Sequence, residues 1–61
     1  MSYANGLALF FDLMSYGAET GVRMAKDYLS IGLPKNKTER EEELEFRREL
    51  AAALRIFKRG E

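Results

Sequence analysis

A chain of 61 residues holds one small domain, and at that length only about 60% of the unfolded surface is buried on folding, so stability is marginal without added support. With no Cys and no His, disulfides and zinc sites of the Cys/His kind are excluded, and self-association is the support that remains. Ten Lys and Arg balance ten Asp and Glu, which removes any strong overall pull toward nucleic acid or anionic lipid and leaves little repulsion between copies.

The N-terminal MSYANG carries no basic stretch, and the apolar run GLALFFDLMSYGAETG at residues 6–21 is cut by Asp12, two glycines and Glu19. Neither a secretory leader nor a membrane-spanning helix is expected, and a cytoplasmic protein is the default reading. At 100° per residue the run reads as the start of one long amphipathic helix over about residues 4–31. One half of its apolar arc holds Phe10, Met14, Gly17, Gly21, Met24 and Tyr28. The other half holds Leu7, Phe11, Ala18, Val22, Ala25 and Leu29. Asp12, Glu19, Arg23, Lys26 and Asp27 share the opposite, solvated side. Each interior glycine costs about 1 kcal/mol relative to Ala, so a break near Ser15-Tyr16-Gly17 is the alternative. Continuity is preferred because the stripe keeps its phase across Gly17.

In SIGLPKNKTEREEE, residues 30–43, Gly32 followed by Leu33 and Pro34 reads as a helix C-terminus. A turn over about residues 32–37 then leads to Thr38 and Glu41, spaced as a capping box. The second helix is placed at about 38–59, with a narrow stripe of Phe46, Leu50, Ala53, Leu54 and Phe57. Five glutamates between 39 and 45 sit at its positive dipole end and Arg55, Lys58 and Arg59 at its negative end. Glu43 and Arg47 are spaced for an i,i+4 ion pair.

The expected fold is therefore all-α: a single antiparallel helical hairpin spanning residues 1–61. Closing it at the turn places Gly17 level with about Ala52 and Gly21 with about Arg48, so that small residues on both helices allow close approach. The first helix would be ~42 Å long and the second ~33 Å, leaving Tyr3, Leu7 and part of Phe10 beyond the end of the shorter one. If roughly 400–600 Å² of apolar surface stays bare, covering it is worth up to roughly 10–15 kcal/mol per chain, before the cost of association. Two hairpins packed as a four-helix bundle would cover it. The interface then comprises Leu7, Phe10, Phe11, Met14, Ala18, Val22, Ala25, Tyr28 and Leu29.

No catalytic, cofactor-binding or metal-ligating residue is assigned. Ser2, Ser15 and Ser30 have no local base and no Gly-rich phosphate loop is present. Glu42, Glu45 and Glu49 share one side of the second helix, an arrangement that binds hard cations weakly. The composition points instead to a small non-catalytic, homo-oligomeric protein-binding module, dimeric, serving as a regulatory or accessory factor to a larger protein. Phe10, Phe11, Met14, Met24 and Tyr28 are its candidate anchors. The alternative is a nucleic-acid-binding regulator using Lys35, Lys37, Arg55, Lys58 and Arg59, although in one hairpin these lie at opposite ends among interleaved glutamates. A membrane-surface role for Leu7, Phe10, Phe11 and Met14 is disfavoured because the first 22 residues hold no Lys or Arg.

Overall fold

The computed structural model describes residues 5–60, and these residues form three helices: α1 (Gly6–Met14), α2 (Ala18–Ser30) and α3 (Lys37–Arg59). No strand occurs among the described residues. The second predicted helix is present as α3, within a residue of its expected limits. The first is not continuous. It divides at Ser15–Gly17, the alternative that the two glycines had raised, and the two-helix hairpin becomes a three-helix fold. The expected start at residue 4, and Tyr3 and Ser2 with it, lie outside the described residues.

The division follows from local chemistry. The N–H groups of Ser15, Tyr16 and Gly17 donate to the carbonyls of Asp12, Leu13 and Met14, an i→i−3 pattern that tightens and closes the last turn of α1. The Ser15 hydroxyl also donates to the Asp12 carbonyl. Gly17 then takes φ 104° and ψ 151°, a backbone region open to glycine almost alone. What the break gains is burial. It lets α1 fold back so that Leu9, Phe10 and Leu13 enter the core, each worth roughly 1.5–3 kcal/mol, against the ~1 kcal/mol glycine penalty that a straight helix would have carried.

α1 starts at Asn5, whose side chain accepts from the N–H of Ala8 at 2.8 Å, and α3 starts at Asn36, whose side chain accepts from the N–H of Glu39 at 3.0 Å. Asn36, not Thr38, is thus the cap of α3; Thr38 lies inside its first turn. The end of α2 also differs from expectation. Ile31 is extended, and Gly32 does not take a left-handed conformation, which among the described residues belongs to Gly17.

The core is one cluster: Leu9, Phe10 and Leu13 of α1, Ala25 of α2, and Leu50 and Leu54 of α3. Met14, Val22, Tyr28, Leu29, Phe46, Ala53 and Phe57 pack around it. α2 and α3 are antiparallel, with Tyr28 opposite Glu43, about two residues out of the expected register. The relation of α1 to α3 was not foreseen. Gly6 sits beside Phe46 and Leu50 while Phe10 meets Phe57 at 5.9 Å between ring centres, so the two helices run in the same sense.

The glycines change roles accordingly. A Cβ on Gly17 would find no atom within 4 Å, so no close approach of helices depends on it, and its positive φ marks the turn. Gly21 does permit a close approach, but to the Leu13 carbonyl of α1, 2.7 Å from a Cβ placed there, rather than to the alanines of α3. The tightest contact with α3 belongs to Gly6, where a Cβ would stand 2.7 Å from the Leu50 nitrogen.

Candidate functional site

Because Gly6, Leu9, Phe10 and Leu13 face inward on α1, Leu7 and Phe11 are turned outward, roughly 110° and 150° from the centre of the buried face at 100° per residue. One turn apart, they form an apolar ridge, with Leu7 46% and Phe11 65% exposed. Phe11 is steadied from below by Phe10, whose ring meets it edge-on at 5.9 Å. On α3, Ile56 is 69% exposed. Tyr16 at the turn, Met24 on α2, and Ile31 and Leu33 in the α2–α3 connection are further exposed apolar side chains.

The face expected to meet a second copy is thus divided. Phe10 and Ala25 are buried in the chain's own core, and Met14, Val22, Tyr28 and Leu29 pack against it. Leu7, Phe11 and Ala18 remain exposed. Of the residues assigned to packing between helices, Leu50 and Leu54 are buried, Phe46, Ala53 and Phe57 line the core, Gly21 meets α1, and Gly17 has open space where a side chain would stand.

A polar clasp joins α2 to α3. The Tyr28 hydroxyl donates to Glu43 Oε2 at 2.6 Å, and Arg47 Nε donates to the same oxygen at 2.6 Å. The Arg47 Nη1 donates to the Ile31 carbonyl just past the end of α2. The guanidinium also lies 5.2 Å from the centre of the Tyr28 ring, a cation–π distance. Burial pulls the Glu43 carboxyl upward, but the hydrogen bonds from Tyr28 and Arg47, with the Arg47 charge, outweigh it and hold the group below the ordinary carboxylate value. Burial pushes the Tyr28 hydroxyl up, reinforced by the hydrogen bond to Glu43 and its charge and only partly offset by Arg47. These groups satisfy one another, and the arrangement ties helices together rather than presenting a reactive atom.

The basic residues do not converge. Lys35, in the α2–α3 connection, and Lys37, at the start of α3, are exposed, while Arg55, Lys58 and Arg59 are exposed in its last turns, some 30 Å away at 1.5 Å per residue. An open groove of about 430 Å³ lies between the first turns of α2 and the end of α3, lined by Ala18, Glu19, Val22, Phe57 and Lys58. It holds one charge of each sign and no convergent set of polar groups. Ser15 and Ser30 spend their hydroxyls on the carbonyls of Asp12 and Asp27.

The sequence pattern gives Gly6 no role and Glu49 only a place on one side of the second helix, yet the Gly6 N–H donates to Glu49 Oε1 at 2.7 Å. The Arg47 bond to the Ile31 carbonyl was likewise unforeseen. Both depend on where α1 and the α2–α3 connection lie in space, and no periodicity within one helix carries that. No helix is long and apolar enough to cross a membrane among the described residues. Comparison with protein-family models, with curated proteins and with solved structures finds no match to this chain.

Proposed function

We propose that this protein is a small non-catalytic helical module that works by binding other protein, first a second copy of itself as a two-fold dimer, and through that dimer a larger protein that it serves as a regulatory or accessory factor. The observation that carries the reading is the Leu7–Phe11 ridge, two large apolar side chains held one turn apart and turned to solvent on a short helix whose other face is already buried. Neighbouring apolar side chains fixed outward in this way are characteristic of contact surfaces. A balanced net charge adds no barrier to pairing.

The test is the solution mass of the wild-type chain and of Phe11→Asp by sedimentation equilibrium, from micromolar to millimolar concentration. The wild type is expected at a multiple of 7.0 kDa, and the variant at the monomer mass with its helical circular dichroism retained. A wild type that stays monomeric throughout overturns self-association. A variant that assembles as well as the wild type removes Phe11 from the interface.

A further inference from the structure

The geometry points to α1 as an exchangeable element: two copies open at Ser15–Gly17, trade their α1 helices, and become a dimer in which each α1 sits in the α2–α3 seat of the other. This inference rests on the self-association proposed above and states how it occurs.

Three observations support it. The first is the connection. Only Ser15, Tyr16 and Gly17 separate α1 from α2, and Gly17 is exposed, with positive φ and open space around it. No atom lies within 4 Å of where a Gly17 side chain would stand, and a short connection whose closed form depends on one unusual backbone conformation is what favours exchange between copies.

The second is the phase of the apolar stripe. In the folded chain Leu7 and Phe11 face solvent while Val22, Ala25 and Leu29 face the core. When α1 and α2 are laid end to end at 100° per residue, Leu7 and Phe11 fall in line with Ala18, Val22, Ala25 and Leu29. Straightening therefore aligns Leu7 and Phe11 with the inner face of α2 along one continuous helix, while Leu9, Phe10 and Leu13 keep the face that enters the partner's seat. It also converts the i→i−3 bonds at Ser15–Gly17 into ordinary helical ones over residues 6–30.

The third is the seat. The contacts that hold α1 on α3, Gly6 with Glu49 and Phe10 with Phe57, join residues far apart in the chain. A second copy offers the same partners with the same shape, so α1 loses none of them on exchange. Each opened chain is then a long helix over 6–30 followed by α3, and two of them make a four-helix assembly with two-fold symmetry.

The experiment uses the wild-type chain. Labelled (¹³C, ¹⁵N) and unlabelled copies are unfolded together, refolded, and studied by isotope-filtered NOE spectroscopy alongside sedimentation equilibrium. Exchange predicts a dimer with Phe10–Phe57 ring contacts between a labelled and an unlabelled copy. Gly17→Ala is expected to tighten that dimer by at least about tenfold, equivalent to ~1.4 kcal/mol, because a side chain strains the closed turn by that order and is relieved in a straight helix. A dimer whose Phe10–Phe57 contacts stay within one copy overturns the exchange and leaves self-association standing. A monomer at every concentration overturns both. An unchanged dissociation constant for Gly17→Ala removes Gly17 as the opening point.

Discussion

The backbone N–H of Gly6 ends on Glu49 Oε1, 2.7 Å away, so the first turn of α1 is closed by a carboxylate from the middle of α3. Asn5 closes a second donor of the same turn from within the chain. A negative charge at the positive end of a helix is favourable in itself, and here it also fixes where α1 lies on α3. Glu49→Ala is expected to cost about 0.5–1.5 kcal/mol, with Glu49→Gln recovering part of it by keeping an acceptor without the charge. Urea midpoints of the two variants decide the matter, and a silent Glu49→Ala removes the tie.

Two glycine substitutions should differ in their effect on stability. Gly6→Ala gains up to about 1 kcal/mol of helix propensity, but its methyl group meets the Phe46 carbonyl and the Leu50 nitrogen, backbone atoms that cannot step aside. Overpacking of this kind costs about 1–3 kcal/mol, so a net loss is expected. At Gly32 no atom lies within 4 Å of the added methyl and the backbone is not left-handed. Gly32→Ala should be neutral or stabilising by up to about 1 kcal/mol, acting through the unfolded chain. Thermal melts of both variants under one buffer condition test the pair.

The clasp on α2 and α3 has a pH window with two edges. Glu43 is held below the ordinary carboxylate value in the fold, so its contribution is complete above the unfolded value of about 4.3 and is lost as pH falls through the lower, folded one. Tyr28 is raised, so its contribution is complete below the unfolded value of about 10 and is lost as pH rises through the higher, folded one. Between these edges the clasp is intact. Tyr28→Phe should cost about 0.5–1.5 kcal/mol at neutral pH and flatten the alkaline edge while leaving an acid edge from Glu43 and Arg47. A wild-type stability profile with no fall at either edge would contradict the assignment.

How much of this was legible in the residues differs from helix to helix. α3 was, because its charges and its stripe agree on one answer; only the cap differs, since Asn36 and Glu39 repeat two residues earlier the spacing that Thr38 and Glu41 offer. The division at Gly17 was visible as an alternative, yet phase alone favoured continuity. What decides it is the burial of Leu9, Phe10 and Leu13 in the core shared with α2 and α3, a tertiary gain that no local pattern records. The same holds for the candidate site. Leu7 and Phe10 look equivalent along the sequence, and only the docking of α1 makes one a ridge and the other core.

The docking of α1 also fixes an order of events in a growing polypeptide. The α2–α3 clasp joins residues 15 and 16 positions apart, whereas the Gly6–Glu49 tie spans 43. Contacts of long separation close late, because the entropy of a large loop is lost before they form. Translation adds about 5–20 residues each second, so α1 emerges roughly 2–9 s before its seat on α3 exists. For that interval Leu9, Phe10 and Leu13 lack Leu50 and Leu54, their core neighbours on α3.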